Sequence, residues 1–208
     1  ISGAAMVFSY KRRWGRGETW KGTFYHALTR ASLLFLIGWA IFHINSSEGA
    51  SKGELYVQIF AQLAVASLVA FSLLRQRVVF QSGVAIGVLM VTEALYRLRL
   101  APGFDEPFTA GRNFGSFLDL TLFGELSSQN HVAFSIVPSI VFAILGVIAG
   151  GILGSGRSRS GKLRLLAATG GCGTVLGLAL SSVTPIVSRL NTGSYVVLVG
   201  GLAFLSLA

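Results

Sequence analysis

The side chains best able to do chemistry lie in one connection, residues 97–131. It carries Asp105, Glu106, Arg112, Asn113, Asp119, Glu125, Asn130 and His131. A carboxylate or an imidazole can take up and release a proton, and an amide can donate to an oxygen. Long connections in compact domains often carry function. Within this one, the run FGSFLDLTLFG is apolar enough to dip back towards a membrane. Asp119 sits there among Phe117, Leu118, Leu120 and Leu122, where an unpaired carboxylate is costly. It therefore needs a partner, expected to be Arg112 or a histidine or basic residue from helices that precede this chain. Asn113 lies six residues earlier, and a bend at Gly115 would let both side chains point inward. The competing reading is a solvated loop with an interfacial helix at 114–123.

Other polar groups are sparser. Glu93 and Arg97 are spaced i, i+4, as an interfacial ion pair requires. Gln58 and Gln62 share a helix face, a pattern suited to hydrogen bonds between helices. His131 opens an apolar run at the membrane surface, where an imidazole can shuttle protons or cap a helix. His26, His43 and His131 have no cysteine or histidine at ligand spacing, so no metal site is expected. The single Cys172 lies in an apolar run and is read as a packing residue.

The elements that must position these groups are membrane helices. The chain is 52% hydrophobic and 12% charged, where a soluble domain carries about 25% charged residues. Apolar runs occupy 1–10, 28–44, 55–74, 78–95, 132–153, 163–183 and 195–208. Each of the five interior runs has about the length needed to cross a bilayer core of roughly 30 Å. They are apolar all round, unlike soluble amphipathic helices. The expected fold is an all-α polytopic transmembrane bundle of about seven segments, the first and last truncated. The chain is expected to be one transmembrane domain, 1–208, and an interior piece of a longer protein.

The net charge of +9 is distributed as topology demands rather than as nucleic-acid binding does. Lys11, Arg12, Arg13, Arg16, Lys21, Arg30, Arg75, Arg77, Arg157, Arg159, Lys162 and Arg164 fall in alternate connections, which are assigned to the cytoplasm. Lys52, Arg97, Arg99, Arg112 and Arg189 fall on the other side. The basic stretch 11–30 suits anionic lipid headgroups or a phosphorylated cytoplasmic cofactor. Glycine pairs at four-residue spacing, Gly83/Gly87, Gly146/Gly150, Gly150/Gly154 and Gly173/Gly177, are expected to let helices approach closely.

Several stretches taken in order resemble a known family. AMVFSYKRR followed by HALTRASLLFLIGW gives a small-residue helix end, a basic turn and an R-x-x-L-L-F-x-x-G helix. PGFDEPFTAGRNFGSFLDLTLFGEL resembles the family's long extracytoplasmic loop, and HVAFSIVPSIVFAILGVIAG the helix that follows it. TPIVSRLNTGSYVVLVGGLAFLSLA resembles its Pro-x-x-(Lys/Arg), Thr-Ser and Gly-Gly segment. The family is the bacterial relatives of heparan-alpha-glucosaminide N-acetyltransferase, which are multi-span membrane acyltransferases.

The resemblance implies a bacterial inner-membrane enzyme that takes acetyl from cytoplasmic acetyl-CoA and delivers it to an amino sugar or glycan across the membrane. The family's proposed catalytic histidine belongs to a segment that precedes this chain. The positions carried over are Arg30, for the cofactor, Asn113 and Asp119, in supporting catalytic roles, and Pro138 and Arg189. Asp119 is expected to orient a histidine, and Asn113 to donate to the acyl oxygen or a sugar hydroxyl. Where many relatives have an acidic residue and a glycine, this chain has His131 and Val132. The expected partners are the lipid bilayer, the acceptor and a second copy of the chain, with no metal. The competing functions are a transporter or flippase for a sugar or lipid-linked precursor, and a non-catalytic membrane scaffold.

Overall fold

A computed structural model of the chain describes residues 2–45, 52–98, 100–127 and 130–208. They form α1 (Ser2–Gly15), α2 (Trp20–Asn45), α3 (Glu54–Val57), α4 (Ile59–Leu73), α5 (Val78–Arg97), α6 (Phe114–Phe123), α7 (Ile136–Leu153), α8 (Arg159–Leu180) and α9 (Gly193–Ser206). A 3₁₀ turn, Ala133–Ser135, leads into α7. No strand occurs among the described residues. The expected all-α bundle is what forms.

Four spans are long and apolar enough to cross a membrane: Trp20–Ile44, Val78–Arg97, Ala133–Leu153 and Arg159–Leu180. Large apolar side chains point outward on them, including Leu36 and Trp39 on α2, Val79 and Met90 on α5, and Val175 and Leu176 on α8. The inside is built from small ones, such as Ala61, Ala64, Ala66 and Ala70 on α4. Large out and small in is the arrangement lipid selects, because hydrocarbon solvates leucine while close backbone packing holds helices together.

α7 is the central helix and packs against α1, α4, α5 and α9. Its contact with α1 depends on missing side chains. A Cβ on Gly146 would lie 2.9 Å from the Gly3 Cα, and one on Gly150 the same distance from the Ala4 Cα. α8 and α9 pair in the same way, a Cβ on Gly177 lying 2.5 Å from the Leu198 amide. The expected close approach holds at Gly146, Gly150, Gly173 and Gly177. It fails at Gly83 and Gly87, which face open space on the outer side of α5.

The basic connections meet at one end. Arg75, in the α4–α5 turn, lies over the Trp14 ring of the α1–α2 hairpin, 5.4 Å from its centroid. Lys11 approaches Gly154 at the end of α7. Lys162 donates to the Leu153 carbonyl at 2.7 Å. At the opposite end, the Lys52 amide donates to Glu125 at 2.9 Å, and Arg97 bonds both Glu93 and the Thr184 hydroxyl. The ion pair expected of Glu93 and Arg97 thus also ties α5 to the α8–α9 connection. Arg99 lies outside the described residues.

Two expectations need correction. The run 55–74 is not one helix: Gln58, with φ −55° and ψ 132°, separates α3 from α4. Its extended backbone interrupts the ladder, and the 15-residue α4 is shorter than the roughly 20 residues a full crossing takes. Arg30 is not in a connection either. α2 begins at Trp20, so Arg30 lies roughly 15 Å along it, within Trp20–Ile44, which is long and apolar enough to cross a membrane.

Candidate functional site

The long outer loop is ordered by Asn113 and Asp119. Asn113 is fully buried and is the N-cap of α6. Its Oδ1 accepts from the Ser116 amide at 3.0 Å, and its Nδ2 donates to the Thr109 carbonyl at 2.8 Å. The side chain therefore closes the loop onto the helix it starts. α6 matches the expected interfacial helix and ends at Gly124, which has φ +77°. The expected bend at Gly115 does not form, because Gly115 lies within α6. Its role is close approach: a Cβ there would lie 2.9 Å from the Val132 Cβ and 3.0 Å from the Tyr96 hydroxyl.

Asp119 is 2% exposed and accepts from the Ala133 amide at 3.1 and 3.3 Å. It pairs with a backbone N–H and not with Arg112, which instead bonds Glu106 at 2.6 Å. Burial pushes the Asp119 carboxyl up to about 6, and the Ala133 hydrogen bond opposes that rise. The contact pins the start of the 3₁₀ turn, two residues beyond His131. Asn191 fixes the same turn from the other side by donating to the Ser135 carbonyl at 3.0 Å. His131 is thus held in place through its neighbours. Pro138 is buried in the first turns of α7.

His131 lines a pocket of about 340 Å³ with Glu54, Val57, Gln58 and Ile59. The pocket sits at the break between α3 and α4. Irregular backbone in a membrane segment is tolerated where it lines a cavity. Glu54 accepts from the Ser127 hydroxyl at 2.7 Å. Burial lowers the His131 pKa, the nearby Arg189 lowers it further, and Glu54 raises it. Near neutral pH the imidazole is uncharged, with a lone pair to offer. Gln62 turns away from this pocket, donating to the Val57 carbonyl at 3.1 Å and to Ser135 at 3.4 Å.

A second cavity, of about 270 Å³, lies between α1, α2, α4 and α7, with Ser2, Ser9, Tyr10, Arg30, Leu63 and Ser67 among its lining. Arg30 makes no hydrogen bond or ion pair among the described residues. Arg30 is exposed on α2, and an ionisable residue within an apolar span of this length is a candidate functional position. A third, open groove of about 570 Å³ lies at the basic end, lined by Phe8, Ser9, Arg12, Arg13, Arg16 and Glu18. Arg13 is braced there by Glu18 at 3.1 Å and donates to His26 Nε2 at 3.1 Å. Ser9 lines both the groove and the cavity. Leu63 of the cavity and Ile59 of the outer pocket are about one turn apart on α4. The three spaces therefore follow one another from the basic end to the opposite end.

The sequence singled out Asn113, Asp119 and Arg30. The structure places the first two in one clamp at the outer end and Arg30 far from them, in the middle cavity. Glu54 and the break at Gln58 were missed as site features, because an unbroken apolar run hides a helix interruption that has neither proline nor glycine. The polar pair Gln58/Gln62 was the one signal available. Among the described residues no group of histidine, cysteine, aspartate and glutamate is arranged to hold a metal ion. His43 donates to the Trp39 carbonyl at 2.9 Å and stands apart from all three spaces. No family model matches the chain, and no curated protein matches it.

Proposed function

We propose that this chain is part of a bacterial inner-membrane acyltransferase. It takes acetyl from acetyl-CoA at the basic, cytoplasmic end and passes it to an amino sugar or glycan at the other. One observation carries the reading: an arginine groove, a cavity within the bundle and an outer polar pocket occur in succession, the first two sharing Ser9 and the last two lying about one turn apart on α4. Arg12 and Arg16 suit the phosphates of the donor, since guanidinium groups bind phosphate with directed hydrogen bonds. The cavity suits the donor's extended arm, with Arg30 beside the arm's polar atoms. Asn113 and Asp119 support the reaction by holding the outer wall in place.

Transfer of an acyl group to an amine also needs exclusion of water, and a helix bundle supplies a dry interior. The break at Gln58 favours a second reading, a transporter, because discontinuous helices line substrate paths in transporters. A sided assay separates the two. The full-length protein is sealed in vesicles, with labelled acetyl-CoA at the basic end and amino sugar at the other. Acyl transfer predicts acetylated sugar on the acceptor side and an equal amount of free CoA on the donor side. Movement of unmodified sugar without CoA release is the transporter's result and sinks the acyltransferase.

A further inference from the structure

The pocket at the helix break carries chemistry that the clamp beside it does not. Glu54 is the one carboxylate among its lining residues, and His131 the one imidazole. Gln58 sits at the break itself, where no side-chain hydrogen bond caps α4. Among the described residues, the other charged groups near this trio are Arg189, close enough to His131 to act on it, and Glu125, whose carboxylate accepts from the Lys52 backbone amide. A carboxylate, an amide and an imidazole line this open pocket of about 340 Å³, a set of groups suited to a small cation that also carries hydroxyl groups.

We infer that this pocket is the acceptor site and takes a primary ammonium on a polyol. Glu54 pairs with the ammonium, Gln58 bonds the flanking hydroxyls, and His131 takes one proton from the nitrogen. The inference rests on the acyltransferase reading for what happens next, but not for binding. The balance is simple. The ammonium gives a proton to the imidazole, which passes it to solvent through the open mouth. The free amine forms a C–N bond to the acetyl carbon, the C–S bond of the thioester breaks, and the thiolate leaves with the second amine proton as CoA thiol. In this proposal the acetyl group comes from the cavity side, whose lining residue Leu63 is about one turn of α4 from Ile59 of the pocket. Asp119 is a positioning residue here, acting through the Ala133 amide on the segment that carries His131.

The test is equilibrium binding to the purified full-length protein without acetyl-CoA, with glucosamine and neutral glucose as probes. Wild type is expected to bind glucosamine at least about tenfold more tightly than glucose, since one charge-assisted contact is worth about that factor. Glu54→Gln keeps an acceptor for Ser127 and so keeps the local fold. It is expected to remove the preference, and Glu54→Asp to restore part of it. His131→Asn is expected to bind glucosamine within about threefold of wild type yet lose most acetyl transfer. Equal binding of the two sugars by wild type overturns the inference, as does a glucosamine preference that survives Glu54→Gln. Acetyl transfer together with a Glu54-independent preference leaves the acyltransferase standing and removes this site. A Glu54-dependent preference without any acetyl transfer does the reverse.

Discussion

The clamp at Asn113 and Asp119 and the pocket at Glu54, Gln58 and His131 lie at the same end of the bundle and hold similar side chains. In the clamp Asn113 and Asp119 both have backbone partners: Asn113 bonds Thr109 and Ser116, and Asp119 bonds Ala133, while the buried Tyr96 hydroxyl beside them has no partner among the described residues. Asn113 and Asp119 are both buried. In the pocket the groups face a space, and His131 makes no hydrogen bond among the described residues. A buried polar group must be satisfied by the protein, and once it is, little remains for a ligand. Polar residues in an apolar stretch therefore mark either a structural joint or a site. Burial and partners decide which.

That contrast can be broken from the clamp side first. The largest effect is expected for Gly115→Val, whose Cβ would press on Val132 and the Tyr96 hydroxyl. Overpacking of this kind costs about 3 kcal/mol, and the melting temperature should fall sharply. Asn113→Ala removes an N-cap and a buried donor, for about 2 kcal/mol. Its melting temperature should drop, while glucosamine affinity measured on the folded fraction should hold. A lost affinity at an unchanged melting temperature would move Asn113 into the site.

Asp119→Asn sharpens the comparison through pH. The folded carboxyl is raised to about 6 from its ordinary 3.8, so the folded state holds its proton more tightly than the unfolded one. Its contribution is fully present below about 4 and is lost as pH rises through 6. Asp119 alone therefore favours pH 5 over pH 8 by an amount of order 1 kcal/mol, and because the lowered His131 pKa works the other way, the effect is read as the difference between wild type and variant. Asp119→Asn, which keeps an oxygen for the Ala133 amide, should remove that contribution and melt no lower than wild type at pH 8. A destabilised variant with the pH dependence of wild type would contradict the assignment. The smallest effect on stability is expected for Glu54→Gln, within about 0.5 kcal/mol, because the pocket is not part of the packed frame.

Much of the frame was legible. Apolar runs gave the helices because lipid demands uninterrupted hydrophobic length, and α6 was visible as FGSFLDLTLFG with Asn113 before it. The basic connections share one end because Arg75, Lys11 and Lys162 reach one another's helices there. What was hidden depends on contacts distant in sequence. Nothing near Asp119 announces that Ala133 is its partner. Nothing in 55–74 announces a break at Gln58. The start of α2 at Trp20 was masked by the polar residues Lys21, Thr23, His26 and Arg30. Their inclusion in one helix is what places Arg30 within the span Trp20–Ile44. Gly83 and Gly87 show the opposite failure, a packing motif with nothing packed on it.

The central claim is that the donor reaches into the bundle past Ser9, the residue common to the arginine groove and the cavity within the bundle. It is tested by accessibility. In a cysteine-free background of the full-length protein, which includes Cys172→Ser, Ser9→Cys should react with an impermeant thiol reagent added at the basic end. Acetyl-CoA should slow that reaction several-fold, and sodium acetate at the same concentration should not. Labelling that acetyl-CoA leaves unchanged, or labelling from the opposite side alone, would contradict the path on which the account is built.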